Sequence, residues 1–455
     1  MIGLPSWIVG GLFAGTSAMR PGFAQETAPA HILRTMKRIN LRASRYGRQV
    51  LMGLVILTAA ASLDAQQPAA PAPANDPIKT LVSRLDLEKY KATIKGLTAF
   101  GDRRQGTERN RKAVDWIEAQ LKSYGCANVE RLTYEYNTPT RQGGGGGGGQ
   151  GAGQKPFEPI IASGEVRSGP GGSRYRGTTR RTGVNNDPML QPDEKLRALN
   201  MEPAKDGRRQ DVYCTKVGTT RPDEMYIVGA HMDGHGWGEA ANDNGSGTAL
   251  VMELARVFSM PDVVTDRTIR FALWNNEETG LNGARAYVEQ RQSLQGKEDP
   301  PGSRRYPEPK WLGMIQHDMM MWDHGMPRAD GTWNPEQRPE ADVNIEFQSQ
   351  SKFSEEAMKL AFHFRYANEK YATDYPAAVG PHMTNTDSGA FQDIVPSISL
   401  RENERGMHTG AGWNPTWHQP IDVFATFSDK DFRLGLNAAQ TTLSGVAQLT
   451  NAKLK

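Results

Sequence analysis

The chain has 455 residues, a formal net charge of +3 and two cysteines. Its length is ample for a large hydrophobic core, and the absence of a basic run interleaved with aromatic residues argues against a nucleic-acid partner. Two cysteines are too few for a disulfide framework or a thiolate metal site, so we expect Cys126 and Cys214 to form either one bridge or two buried free thiols.

The N-terminal segment has the order of a secretory signal. A basic stretch at 36–49, "MKRINLRASRYGRQ", precedes an apolar stretch at 50–63, "VLMGLVILTAAASL", and small residues follow. The apolar stretch is short for a membrane span of ~20 residues, which favours a cleaved signal over a retained anchor. We therefore predict that 1–65 is a leader, with 1–35 a mis-assigned start. The mature protein is expected to be secreted or periplasmic, without a stable membrane span.

A Pro/Ala linker, "QQPAAPAPANDP" at 66–77, leads into one predicted domain at 78–455. A helix is predicted from residue 78 and a second at 110–125, followed by a strand at 127–136. The stretch "GGGGGGGQGAGQ" at 143–154 would lose too much entropy on ordering to form core, and no Lys-Ser/Thr pair follows it as in a phosphate loop. We interpret about 138–200 as a solvent-exposed insertion.

Strands and helices alternate in the rest of the chain. Unbroken apolar runs typical of strands buried on both faces include "EMYIVGAH" and "TIRFALWN". The predicted strands are 210–218, 224–231, 268–275, 311–319 and 395–400, and the predicted helices are 245–258, 280–294 and 354–372. This alternation predicts an α/β sandwich with a largely parallel sheet.

Imidazoles and carboxylates gather at the carboxyl ends of these strands, where parallel α/β sheets bind ligands. The candidates are His231, Asp233, His235, Asp243, Glu277, Glu278, Asp318, His418 and Asp422. Nitrogen and oxygen donors without thiolates suit zinc or another divalent ion.

Several motifs in chain order resemble the twenty-eighth metallopeptidase family, the two-zinc exopeptidases that include secreted aminopeptidases and glutamate carboxypeptidases. They are "AHMD", "ANDNGSGTA", "NNEETGLNGARAY", "QHDMM", "TDSGAF" with "VPSISL", and "HQPID". The resemblance runs from about residue 78 to the C-terminus. It implies a zinc peptidase domain there, with a three-layer α/β sandwich, a mixed, mostly parallel central sheet and helices on both faces.

The resemblance also implies a role for each residue that matches a motif. The implied ligands of two Zn²⁺ ions are His231, Asp243, Glu278, Asp318 and His418. Asp243 matches the carboxylate that bridges the ions, and Glu277 matches the general base. Such roles have a physical basis, since two metals ~3.5–4 Å apart need a shared anionic ligand and the attacking water needs a base to take its proton.

Two aspartates are predicted to orient the histidine ligands. Asp233 lies two residues after His231, on the same side of an extended chain, and is expected to accept its ring N–H. Asp422, four residues after His418, is expected to do the same.

Other residues of these segments receive weaker predictions. His235 is flanked by glycines and is not used by the family pattern, so we predict a loop histidine. His317 should point away from the metals because it precedes Asp318 on a strand. Asp387 and Trp417 are weak candidates for the substrate pocket, with a loop-capping role the alternative for Asp387.

The predicted function is a zinc-dependent aminopeptidase that acts on peptides. A carboxypeptidase acting on acidic dipeptide-like substrates is the alternative within the same site; its basic pocket would draw on Arg401 and Arg405, for which surface positions are an equally good interpretation. A catalytically inactive binding protein would have lost a ligand or the base, and none is lost. A one-zinc glutaminyl cyclase is disfavoured by the complete two-metal set. The sequence does not specify an oligomeric state.

Overall fold

The computed structural model describes residues 76–139, 185–325, 332, 334–381, 386–402 and 414–455. The predicted leader, nearly all of the linker and the Gly-rich part of the predicted insertion lie outside the described residues. Arg405 lies outside them as well.

The described strands form one large mixed sheet and one small pair. Their bounds are β1 (Val129–Tyr136), β2 (Gly207–Lys216), β3 (Arg221–His231), β4 (Val263–Val264), β5 (Arg267–Trp274), β6 (Lys310–His317), β7 (Val343–Phe347), β8 (Ala377–Gly380), β9 (Ser397–Arg401) and β10 (Lys453–Leu454). Within the described residues, the large sheet has the order β1-β2-β5-β3-β6-β9-β7-β8. Its four central strands, β5, β3, β6 and β9, are mutually parallel, whereas β1–β2, β2–β5 and β7–β9 are antiparallel pairs.

The described helices are α1 (Pro77–Val82), α2 (Leu87–Thr98), α3 (Glu108–Ser123), α4 (Glu194–Asn200), α5 (Gly245–Phe258), α6 (Asn282–Arg291), α7 (Ser354–Tyr371) and α8 (Asp429–Thr450). The first predicted helix is divided into α1 and α2. The division occurs because the Asp86 carboxylate accepts the backbone N–H groups of Glu88 and Lys89, at 2.9 and 3.1 Å, and so starts a new helix.

Alternating side chains of the strands build a core on each face of the sheet. On one face, Val228 and Phe271 belong to the cluster that includes side chains of α2, α3, α5, α7 and α8. On the other face, Ile227 and Trp274 pack with Tyr287 of α6. Each such buried apolar side chain contributes about 1.5–3 kcal/mol relative to exposure. The predicted three-layer α/β sandwich with a mixed, mostly parallel sheet is confirmed.

The elements of this fold that the sequence does not predict include β7, β8 and α8. The two strands have five and four residues, too few to show a period. The buried side of α8 is rich in polar and small residues such as Asn437, Thr442 and Ser444, which weakens its amphipathic pattern.

A disulfide joins Cys126, just beyond α3, to Cys214 in β2, with a Cα–Cα distance of 6.2 Å. Of the two states left open by the sequence, the bridge is therefore the observed one. None of the described helices is both long enough and apolar enough to cross a membrane.

The described end of the predicted insertion is not simply solvent-exposed. The side chain of Gln191 is buried, and its Nε2 donates to the backbone carbonyls of Trp237 and Pro420, at 2.8 and 2.9 Å. The backbone N–H of Asn185 donates to the carbonyl of His418 at 3.1 Å. Residues 185–200 therefore pack against two loops that lie at the carboxyl edge of the sheet.

Candidate metal centre

Parallel pairing brings the predicted site residues to one edge of the sheet. His231, the last residue of β3, is in register with Trp274, the last residue of β5. On the other side of β3, Ala230 is in register with His317, the last residue of β6. The segments that carry the acids after β5 and β6 therefore leave the sheet beside His231.

Sharp turns direct these segments across the edge of the sheet. Asn276, Met319 and His418 have φ angles of 64°, 57° and 58°, in the left-handed region that non-glycine residues rarely adopt. Met319 and His418 lie at or beside a predicted ligand, and Asn276 lies beside the predicted base. Such backbone strain concentrates at functional sites, where the surrounding packing holds it in place.

Asp243 lies between two histidines. Its Oδ1 is 3.5 Å from Nε2 of His231, and its Oδ2 is 3.1 Å from Nε2 of His418. The Asp243 side chain is buried. One carboxylate thus presents one oxygen to each of two imidazoles.

Two groups of ligand atoms extend from this carboxylate. Nε2 of His231 lies 3.4 Å from Oδ1 of Asp318 and 4.0 Å from Oε2 of Glu277. Nε2 of His418 lies 3.0 Å from Oε2 of Glu278. The structure therefore brings together all five predicted ligands and the predicted base.

His235 lies in a loop, as predicted, but its ring contacts this centre. Its Nε2 lies 3.0 Å from Oε2 of Glu278, and its ring meets that of His418 edge to face, with centroids 4.1 Å apart. The spacing of the histidines in "HMDGH" was the available signal. The family pattern does not use this position and therefore favours the interpretation as a loop histidine.

The donor set fits a divalent cation such as zinc. Three groups of imidazole and carboxylate atoms each lie within 4.8 Å of one another: His235, Glu278 and His418; His231, Glu277 and Asp318; and His231, Asp243 and Glu278. Among the described residues, the buried atoms Nε2 of His235 and Oε1 of Glu278 have no hydrogen-bond partner. Leaving buried polar atoms unsatisfied is costly, and coordination to a cation would remove that cost.

The two neighbouring glutamates differ in their proton affinity before any cation charge is considered. Burial raises the pKa of Glu277 well above its ordinary value; His231 opposes this rise, and Glu278 adds to it. Burial would also raise the pKa of Glu278, but His235 and His418 hold it well below its usual range. One acid thus favours the protonated form and the other the ionised form, a division often seen between a proton carrier and a ligand.

Asp233 and Asp422 support the centre through the backbone, and not through the ring contacts expected from the sequence. Nδ1 of His231 lies 3.0 Å from the carbonyl oxygen of Asp233 but 3.9 Å from its carboxylate, which accepts the N–H of Glu277 at 3.0 Å. The Asp422 carboxylate accepts the N–H groups of Asn242 and Asp243, at 2.8 and 3.0 Å.

Arg401 is buried and lies neither on the surface nor in an open pocket. Its Nη1 is 3.3 Å from Oδ2 of Asp318, and its Nε is 3.2 Å from Oε2 of Glu346, which is also buried. Arg401 thus holds one oxygen of Asp318 while the other faces His231. Sequence reasoning missed this contact.

The weaker candidates lie around the centre. Asp387 is buried on a short 3-10 turn. Its Oδ2 accepts a hydrogen bond from Nε2 of Gln316 at 2.9 Å, and burial raises the pKa of Asp387 to about 8. Trp417 packs against His418, with ring centroids 4.6 Å apart. His317 faces away, towards the carbonyl of Gly229 and the hydroxyl of Thr442.

The sequence profile of peptidase family M28 matches residues 211–438, half of the chain. Aminopeptidase YwaD of Bacillus subtilis is 44% identical over 68 residues, 15% of this chain and 14% of that protein. A probable lipoprotein aminopeptidase, LpqL of Mycobacterium tuberculosis, is 43% identical over 82 residues, 18% of this chain and 16% of that protein. The aligned part thus spans about a sixth of these relatives.

Among solved structures, the zinc aminopeptidase BSAP of Bacillus subtilis superposes with a TM-score of 0.53 and 17% identity, covering 80% of this chain and 95% of that chain. At this level of identity, the similarity concerns the fold alone. The profile match, by contrast, begins in β2 and ends in α8, so that it contains every residue of the centre described above. The chain therefore belongs to peptidase family M28.

Proposed function

We propose that the protein is a zinc-dependent aminopeptidase that removes N-terminal residues from peptides and uses two zinc ions. The observation that carries the proposal is the position of Asp243, with one oxygen towards His231 and the other towards His418. A carboxylate shared in this way is the ligand that a two-metal site needs. The names of the relatives, which are aminopeptidases, favour this activity over a carboxypeptidase.

In this proposal, His231 and Asp318 would hold one ion, Glu278 and His418 would hold the other, and Asp243 would be shared between them. When bound, zinc supplies Lewis acidity for the scissile carbonyl and lowers the pKa of a water molecule. These donors must be deprotonated to bind, so they also fix the charge of the centre.

Glu277 serves as the general base. Its carboxylate lies 4.0 Å from Nε2 of His231 and keeps some exposure, with 11% of the side chain accessible. It takes a proton from the attacking water at a carboxylate oxygen and gives that proton to the departing amine. Burial raises the pKa of Glu277, and a bound cation would lower it again, towards the range that suits proton transfer near neutral pH.

The position of Arg401 removes one argument for the carboxypeptidase alternative. A basic pocket for a terminal carboxylate requires a cation that faces the substrate, whereas Arg401 is buried between Asp318 and Glu346. We also propose a secreted or periplasmic location, because a disulfide persists in oxidising compartments.

One peptide in two forms, free and N-acetylated, tests the activity. The purified protein is incubated with each form, with and without a zinc chelator, and the products are followed by mass spectrometry. Loss of N-terminal residues from the free form alone, abolished by the chelator, is the expected result. Trimming of both forms from the other end would contradict an aminopeptidase, and no cleavage by zinc-loaded protein would favour a binding role.

A further inference from the structure

We propose that His235 binds the same metal ion as Glu278 and His418, so that this ion has a third protein donor besides the shared Asp243. The inference rests on the proposed two-metal function and adds a ligand that the family pattern does not include. It assigns the two ions unequal surroundings.

The first argument is convergence. Nε2 of His235 and Nε2 of His418 both lie 3.0 Å from the same oxygen, Oε2 of Glu278. The two rings meet edge to face at an interplanar angle of 87°. Two imidazole nitrogens and one carboxylate oxygen within 4.8 Å of one another form a donor set suited to zinc.

The second argument is that the contact lacks the alignment of a good hydrogen bond. Although Nε2 of His235 is close to Glu278 and buried, it has no hydrogen-bond partner among the described residues. A histidine held only to orient Glu278 would be expected to align an N–H group with the carboxylate. The ring nitrogen and the carboxylate oxygen instead lie close together without an aligned hydrogen bond, as two ligands of one cation do.

The third argument is that the loop is fixed in this position. Gly236 has φ 99°, and a Cβ there would overlap the backbone of His418. A Cβ at Gly234 would likewise crowd the side chain of Ala240. The glycines on either side of His235 therefore allow the close approach of its loop to the segment that carries His418.

A buried arginine holds the same loop at its base. The Arg103 guanidinium donates to the backbone carbonyls of Met232 and Ala240, at 2.9 and 2.7 Å. These carbonyls lie before and after His235 in the chain. The imidazole is thus carried by a loop with fixed ends, which favours metal binding because little order has to be gained when the ion arrives.

The extra donor makes the two ions different. His235, His418 and Glu278, together with Asp243, supply four protein donors on one side, a number that closes a tetrahedral zinc site. On the other side, His231 and Asp318 with Asp243 supply three, which leaves a position open beside Glu277. We therefore expect the ion on the His235 side to be held more tightly and the other ion to face the substrate.

The test is the zinc content of purified variants equilibrated against graded concentrations of a chelator. His235→Ala removes the donor. His235→Gln keeps an N–H group near the position of Nε2 but is a poor zinc ligand. The reference variant His418→Ala removes a ligand of the same ion, and the control His363→Gln changes a histidine that contacts only the carbonyl of Gly445 among the hydrogen bonds described.

We expect both His235 variants to lose affinity for the tighter ion by more than the ~10–100-fold that loss of a hydrogen bond to a metal ligand costs. His363→Gln should behave as the wild type. The visible spectrum of the cobalt-substituted protein gives an independent readout, because it depends on the number of ligands and should change in both His235 variants. Thermal unfolding followed by circular dichroism shows whether the variants are folded.

Wild-type affinity in His235→Gln would overturn the proposal, since the residue would then act only as a hydrogen-bond donor to Glu278. Unchanged zinc affinity in His235→Ala would overturn it as well. In either case, a wild-type protein that holds two zinc ions and cleaves peptides would leave the proposed function intact. A wild-type protein that holds no zinc would instead remove the proposed function, and this inference with it.

Discussion

Glu277 and Glu278 are consecutive in the sequence but face different histidines. Oε2 of Glu277 lies 4.0 Å from Nε2 of His231, whereas Oε2 of Glu278 lies 3.0 Å from Nε2 of His418. The left-handed conformation of Asn276, just before them, turns the chain away from the direction of β5. Two acids that share one loop thereby reach opposite sides of the centre and acquire pKa values shifted in opposite directions.

Replacement of the proposed base should separate metal binding from turnover. Glu277→Gln keeps the shape of the side chain but cannot take a proton, so we expect retained zinc and a loss of kcat of at least ~10²-fold. Metal analysis and steady-state kinetics measure the two effects. The exposed Glu289→Gln on α6 is the control and should leave both unchanged. Near-normal turnover by Glu277→Gln would remove the role assigned to Glu277.

Loss of the shared carboxylate should affect both ions at once. Asp243→Ala removes the oxygens that face His231 and His418, so we expect a fall in zinc content together with a loss of activity. Elemental analysis after dialysis measures the metal, and circular dichroism establishes whether the variant is folded. If the variant keeps two zinc ions, Asp243 is not a bridge.

Substitution at two glycines should distinguish strain from steric overlap. Gly236 and Gly296 both have positive φ angles, 99° and 70°, so we expect alanine to cost about 1–3 kcal/mol at each position. A Cβ at Gly296 meets nothing within 4 Å, whereas one at Gly236 meets the backbone of His418. We expect Gly236→Ala to lower both the melting temperature and the zinc affinity, and Gly296→Ala to lower only the melting temperature slightly. Equal effects would show that the His418 contact is unimportant.

Removal of the buried guanidinium should be strongly destabilising. Arg401→Met leaves Asp318 and Glu346 without the cation between them, and loss of one partner from a buried ion pair costs about 3–5 kcal/mol. Chemical denaturation measures this change in the free energy of unfolding. Arg365→Met, which removes an exposed pair with Glu369, should cost about 0–1 kcal/mol. The double variant Arg401→Met/Glu346→Gln should recover part of the loss.

Zinc binding near neutral pH should release protons. Burial alone would lower the pKa of His418, but Glu278 and Asp243 outweigh it and raise the pKa to about 10. The imidazole is therefore protonated at pH 7 before zinc binds and must be neutral afterwards. Apparent zinc affinity should rise with pH up to about 10 and fall on acidification. Calorimetric titrations in two buffers of different ionisation enthalpy count the protons; identical heats in both would contradict this prediction.

The sequence predicts which of these residues come together because their positions follow from strand ends. An apolar run that ends in His231 and another that ends beside Glu277 place both residues at the carboxyl edge once the strands are parallel. No tertiary detail is needed for that step. The order of the motifs then indicates the family, whose fold agrees with the one that the alternation of strands and helices predicts.

The residues that the sequence placed wrongly depend on contacts between distant segments. His235 reaches the centre because its loop packs against the backbone of His418, a contact that spacing within one motif does not reveal. The burial of Arg401 depends on Glu346 in β7, a strand that the sequence did not predict. Asp422 faces the backbone of Asp243 because His418, with φ 58°, redirects the chain between them.

The disulfide has a topological consequence. Cys126 and Cys214 are separated by 88 residues in the chain, and the predicted insertion at about 138–200 lies entirely between them. A protease that cuts within that interval opens a ring without dividing the molecule. The N-terminal fragment, which contributes Arg103 to the base of the His235 loop, remains attached until the bridge is reduced. Cuts in this interval thus leave the two fragments covalently joined.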